Sequence, residues 1–318
     1  MSFRFKPIPT LFVSAISAIL VVACANETEV RVPLSVESAT QYAATASVVG
    51  ADASTALDAT LSIATQLVPG TTSKLPAGRP RGLASNLGCP GGGTATMTIA
   101  GASAQEESNG QFEANEAYQI AFIDCRAAGG AATLNGAVTL SVLDATRSAT
   151  AVALSTTTLK AGLPRGVVSL IGSAELQRTV VTGGRGSQAT TRVTASSLDI
   201  TTGVHGGSGS FTLSRVDLTR QTSTTTGAPQ SVSFGGTLAL AGEVAGHSVD
   251  YNVATQPGAT FDANGLPIQG RWVITLAHHV VKLAVADGNV TIDIDAGNGP
   301  AVGSSFSQPL LAFVADAS

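Results

Sequence analysis

Asp293 and Asp295 are followed by Asn298, in the order Asp-Ile-Asp-Ala-Gly-Asn-Gly. Carboxylate and amide oxygens at alternate positions of a turn suit a hard cation such as Ca²⁺. The sequence departs from a calcium loop twice, because Gly297 takes the third acidic position and Ser304 stands where a bidentate glutamate would close the site. These three residues are therefore a weak calcium candidate, and a strand that ends in a turn is the favoured interpretation.

Histidine and serine, which often act in catalysis, are present, but their spacing in the sequence fits no catalytic or metal site. The sequence has four histidines, with no His-x-x-x-His spacing. His278 and His279 are adjacent, and neighbouring side chains of a strand point to opposite faces, so one zinc ion could not easily bind both. Ser208 lies in Gly-Gly-Ser-Gly-Ser, which lacks the spacing of a nucleophile elbow. We predict no catalytic residues and a protein that is not an enzyme.

Cys24 lies at the end of an N-terminal segment with a recognisable pattern. Arg4 and Lys6 precede an apolar run from Leu11 to Ala23, which is shorter than the roughly 20 residues of a membrane-spanning helix. A basic start, a short apolar run and a small residue before the cut are typical of a secretory signal peptide.

The residues Val21-Val22-Ala23-Cys24 resemble the lipobox of bacterial lipoproteins. The resemblance implies cleavage before Cys24 and lipid on its thiol, and two or more acyl chains hold a protein stably to a membrane. Position 25 is Ala rather than Asp. By the same resemblance, the destination is the outer membrane rather than the inner one.

Cys89 and Cys125 are the other two cysteines. A secreted chain enters an oxidising compartment, where a pair of thiols tends to form a disulfide. A shared metal site is the alternative, but the sequence has no Cys-x-x-Cys. We predict one disulfide between Cys89 and Cys125.

The composition limits the partners. The formal net charge is −4 and charged residues make up 12%, against about 25% in typical domains. No basic stripe with interleaved aromatic residues occurs, so we expect no nucleic-acid partner. Aromatic residues are only 4%, so the core must consist mainly of Val, Leu, Ile and Ala.

The chain divides into four segments: a signal peptide over 1–23, a lipidated tether over 24–33, a helical segment over 34–70 and an antiparallel β domain over 71–318. At about 3.3 Å per residue, the tether reaches at most about 30 Å, which keeps the folded part near the bilayer.

Two helices are predicted within the helical segment. Ser35 can cap a first helix that runs to about Val49, where Gly50 interrupts it. Asp52 or Ser54 can cap a second helix that ends at Val68, because Pro69-Gly70 follows.

From about Thr94 onward, alternating β-branched and polar residues bounded by Gly, Asn and Asp predict a succession of strands. The predicted strands are 94–99, 118–125, 134–142, 150–158, 166–182, 189–201, 210–220, 231–243, 247–254, 271–277, 280–286 and 290–295. Asp287-Gly288 between two of them is a typical hairpin turn. Glycines at 136, 236 and 270 open three similar segments. The fold class is mainly β, a curled antiparallel sheet or open barrel-like meander with N-terminal helices packed on it.

Cys89-Pro90-Gly91-Gly92 and Phe122-Ile123-Asp124-Cys125 resemble segments of β-rich proteobacterial lipoproteins. That resemblance implies a disulfide and a β-rich fold, and it implies no particular activity. We expect a structural or protein-interaction role, with the membrane as one partner through lipid on Cys24 and an envelope protein or a lipid as another. A carrier of apolar ligands, like the outer-membrane lipoprotein carriers, is the alternative, and a cell-wall hydrolase is the second. A carrier would need a concave apolar face that no helix fills.

Overall fold

The computed structural model describes residues 33–68, 85–100, 111–130, 132–202, 209–226, 230–244, 247–296 and 303–316. The predicted signal peptide and nearly all of the predicted tether lie outside these residues.

A single helix, α1, runs from Val36 to Leu67. The side chain of Ser35 accepts a hydrogen bond of 3.1 Å from the backbone N–H of Ser38, so the predicted N-cap is confirmed. The predicted interruption at Gly50 is wrong, because the helix continues through it. Asp52 and Ser54 accordingly lie inside the helix rather than at a cap.

Close packing on the sheet explains why a glycine stands within α1. A Cβ atom at residue 50 would lie 2.9 Å from Cδ2 of Leu238 and 3.2 Å from Cζ of Phe234. The absent side chain lets the helix approach the sheet closely. This tertiary packing offsets the cost of about 1 kcal/mol that glycine adds to a helix interior.

The rest of the chain forms one antiparallel sheet in which each strand pairs with the next strand along the sequence. The fourteen strands are β1 (Ser85–Gly88), β2 (Thr94–Ala100), β3 (Ala117–Arg126), β4 (Thr133–Ala145), β5 (Ala149–Leu163), β6 (Gly166–Gly183), β7 (Gly186–Thr202), β8 (Gly209–Thr225), β9 (Ser231–Val244), β10 (His247–Phe261), β11 (Pro267–Thr275), β12 (His279–Ala286), β13 (Asn289–Ala296) and β14 (Ser304–Pro309). Within the described chain, β1 and β14 each pair on one side only, so the sheet is open. The predicted fold class is confirmed.

Three elements were not predicted. The strand β1 lies in a segment that the sequence indicates as a loop. The last strand, β14, and the short helix that follows it, α2 (Leu310–Asp316), lie beyond the last predicted strand. The predicted Asp287-Gly288 turn is confirmed, since it joins β12 to β13 and both residues have positive φ, +51° and +73°.

Alternate side chains of the strands are buried, so one face of the sheet forms the core and the other faces solvent. The inward face meets α1, most of whose residues are buried. Trp272, Tyr118 and Tyr251 are the largest side chains in this core, and aliphatic residues supply most of the remainder.

A line of bulges crosses the sheet from β3 to β11. The pairing register shifts there in every strand pair from β3 to β7 and again in every pair from β8 to β11, whereas β7 and β8 pair without a shift. The residues with positive φ on this line are Asp124, Gly136, Gly172, Arg215, Gly236, Gly258 and Gly270. Bulges bend a strand and increase its twist, so this line, which we call the crease, bends the sheet around α1. The three similar glycine segments of the sequence belong to it.

The helix α1 runs across the strands rather than along them. Near its start, Tyr42 packs on Tyr251 of β10, with ring centroids 5.5 Å apart. In its middle, Arg220 of β8 donates a 2.8 Å hydrogen bond to Thr55. At its end, Gln66 accepts one of 3.5 Å from the backbone of Ala128, between β3 and β4. The sheet therefore wraps around an axis that the helix occupies.

Candidate functional site

Among the residues that the structure describes, those predicted from the sequence to form sites do not come together in one place. Cys24, the predicted lipidation residue, lies outside the described residues. Cys89 and Cys125 lie at disulfide distance, with Cα atoms 5.5 Å apart, as the sequence predicts. Their bond joins the residue after β1 to β3, near one edge of the sheet.

The calcium candidate is divided among other interactions. Asp293 accepts a 2.5 Å hydrogen bond from Ser305 of β14, and Asp295 pairs with Lys282 of β12 at 2.5 Å. Asn298 lies outside the described residues. Among the residues that the structure describes, no three His, Cys, Asp or Glu side chains cluster as a metal site would require.

The adjacent histidines lie where the sequence indicates, at a turn. His278 belongs to the β11–β12 connection and is exposed, and His279 begins β12. Ser208 lies outside the described residues, and Gly209, which follows it, begins β8.

Sequence reasoning missed a set of ion pairs between α1 and the inner face of the sheet. Asp58 accepts hydrogen bonds of 2.5 Å from Arg178 of β6 and from Thr191 of β7, and Arg220 of β8 lies 3.5 Å away. The two arginines and the threonine are in cross-strand register. Their side chains thus form one row that faces a single carboxylate on the helix.

A second ion pair joins Asp52 of α1 to Arg165, which lies in the β5–β6 turn. Burial raises the pKa of the Asp52 carboxyl above its usual value, and the charge of Arg165 and the hydrogen bond from it oppose that shift. Both side chains are at most 8% exposed. Because a buried charge is costly without a partner, the pair fixes the position of α1 along its axis.

The same arginine shows how far the sheet curls. A Cβ atom on Gly265, in the β10–β11 turn, would lie 3.0 Å from Nε of Arg165. The β5–β6 and β10–β11 turns lie at opposite ends of their strands, because β5 to β10 alternate in direction. The contact of Arg165 with Gly265 therefore brings together turns from opposite ends of the strands.

The outer face of the sheet carries two adjoining hollows, of about 440 and 570 Å³, which share Thr139, Ser155 and Ser173. Together they form a trough that crosses β2 to β8 beside the crease. Thr98, Gln119, Thr139, Ser155 and Ser173 follow one another across five strands in direct register. Hydroxyl and amide groups in such a row can form hydrogen bonds with a polar partner.

Searches against family models, curated proteins and solved structures found no match to this chain. None of the helices in the described part of the chain combines the length and the hydropathy of a membrane-spanning segment.

Proposed function

We propose that this protein is an envelope lipoprotein, held to the outer membrane through Cys24, with a non-enzymatic structural or protein-interaction role. The observation that carries the role is the position of α1, which fills the concave face of the sheet. The buried acids and arginines hold that helix in place. The surface left for a partner is the outer face with its polar trough.

The occupied concave face weighs against the alternative of a lipid carrier. A carrier needs an apolar cavity of several hundred Å³, and in this fold α1 packs where an acyl chain would lie. The large hollows of the outer face are lined chiefly by Ser, Thr and Ala and lie open to solvent, whereas an acyl chain needs a cavity that encloses most of its surface.

Replacement of the predicted lipidation residue tests the anchor. We expect the full chain, produced in a Gram-negative bacterium, to fractionate with the outer membrane and to have the mass of a lipidated chain without residues 1–23. The Cys24→Ser variant should lose the lipid mass and leave the membrane, since protein contacts alone do not replace two acyl chains.

An Ala25→Asp variant is the matched control, because it keeps the cysteine and introduces the inner-membrane retention signal. It should keep the lipid and change membranes. If Cys24→Ser stays with the membrane at an unchanged mass, the lipid anchor is wrong. If native mass spectrometry of that soluble variant shows bound lipid, a function as a lipid carrier replaces the proposed interaction role.

A further inference from the structure

An exposed leucine lies on the C-terminal helix. Leu311 of α2 is 78% exposed, more than any other large hydrophobic side chain among the described residues. Phe313, two positions later, is 2% exposed and belongs to the core. Residues two apart in a helix point to roughly opposite sides, so Phe313 fixes α2 on the protein while Leu311 points away from it.

The helix α2 lies beside the beginning of α1. It contacts α1, β13 and β14. Along α1, Tyr42 meets β10 and Gln66 meets the β3–β4 connection. This order indicates that the contacts of α1 with β12, β13 and α2 belong to its first turns. Val36, in the first of those turns, is a large hydrophobic side chain with 51% exposure.

The start of α1 is also where the chain must approach the membrane, if the proposed anchor on Cys24 is correct. Eight residues lie between Cys24 and Pro33, so the reach from one to the other is at most about 30 Å. The described fold begins at Pro33, next to Val36. Every orientation of the protein on the bilayer therefore keeps this end of α1 close to the lipid surface.

We propose that Leu311 and Val36 form a membrane-contact surface, at which α2 rests on the lipid bilayer and orients the sheet. This inference rests on the proposed anchor. It assigns a function to α2, which takes no part in the trough of the outer face. Apolar side chains that dip into the interfacial region add to the binding that a lipid anchor supplies. Glu37 is exposed in the first turn of α1 and would be repelled by anionic lipid, so we expect contact with zwitterionic lipid.

Quenching by brominated lipid measures the contact directly. The wild-type chain has one tryptophan, Trp272, which is fully buried and gives a constant background. We would introduce a second by Leu311→Trp and reconstitute the lipidated full chain in phosphatidylcholine vesicles with bromine on the upper acyl chain. The added emission should lose about half of its intensity, because interfacial side chains lie about 5–10 Å deep.

Val181→Trp is the matched control, since Val181 is 67% exposed near the end of β6, seven strands from β13. Its emission should not be quenched. Equal quenching at the two sites, or none at residue 311, would overturn the membrane-contact surface. Flotation of the vesicles separates this result from a failed anchor, because a protein without lipid on Cys24 would not float with them.

Discussion

Single glycines decide whether the strands can bend at the crease. Gly136 of β4 has φ of +103°, and a Cβ atom there would lie 2.0 Å from the carbonyl oxygen of Thr158. Both the backbone conformation and the space exclude a side chain. The sequence indicates the place, since Gly136, Gly236 and Gly270 open similar segments, but not the reason, because the close atoms belong to a neighbouring strand.

We expect Gly136→Ala to lower the free energy of unfolding by about 2 kcal/mol or more, since a residue held in a sparsely populated conformation costs about 1–3 kcal/mol before any clash. Urea unfolding followed by circular dichroism measures the change. Gly88→Ala in β1 is the control, because Gly88 has no positive φ and no described atom within 4 Å of its Cβ position. A Gly136→Ala variant as stable as the control would show that the crease does not depend on this glycine.

Between elements, the attachment of α1 to the sheet depends on charge as well as on apolar packing. Asp58 lies between Arg178 and Arg220, and the side chains of all three are at most 16% exposed. The exposed pair Arg192–Asp217 on β7 and β8 has the same chemistry on the solvent side, with side chains about half exposed.

The two aspartates should therefore differ in effect. Asp58→Ala should cost about 3–5 kcal/mol, because it leaves buried arginines without a carboxylate. Asp217→Ala should cost less than about 1 kcal/mol, because water screens an exposed pair. Thermal and urea unfolding of both variants provide the comparison, and similar losses would contradict the proposed importance of the buried row.

Elements with local signals could be predicted from the sequence, and their arrangement could not. Alternation and turn residues indicate the strands β2 to β13, because strand and hairpin preferences reside in neighbouring residues. The continuity of α1 through Gly50 depends on Leu238 and Phe234, almost two hundred residues later. The pairing of Asp52 with Arg165 likewise has no local signal, so the polar attachments of the helix were missed.

For the molecule as a whole, the two open edges of the sheet are the places where its backbone could pair with another chain. An unpaired edge can pair with another chain, and short edge strands are one protection. Both edge strands are short here. Pro309 ends β14, and the disulfide of Cys89 and Cys125 fastens the end of β1 to β3.

Loss of the disulfide should weaken the fold from that edge. A closed loop of 36 residues contributes about 3–4 kcal/mol in the chain-entropy model. We expect the Cys89→Ala/Cys125→Ala variant to lose stability of this order and to show faster hydrogen exchange in β1 and β2 than in β7. Exchange that rises equally in all strands would indicate that the bond stabilises the sheet without a special effect at its edge.

The order of elements along the chain has a consequence for folding in time. The helix α1 is made before every strand that surrounds it, and its contacts extend to β13. At about 5–20 residues per second, β13 follows α1 by on the order of ten to fifty seconds. During that interval the sheet that covers α1 is incomplete. Its many Ala, Ser and Thr side chains expose little apolar area. The helix can therefore remain in contact with water until the strands that cover it have been made.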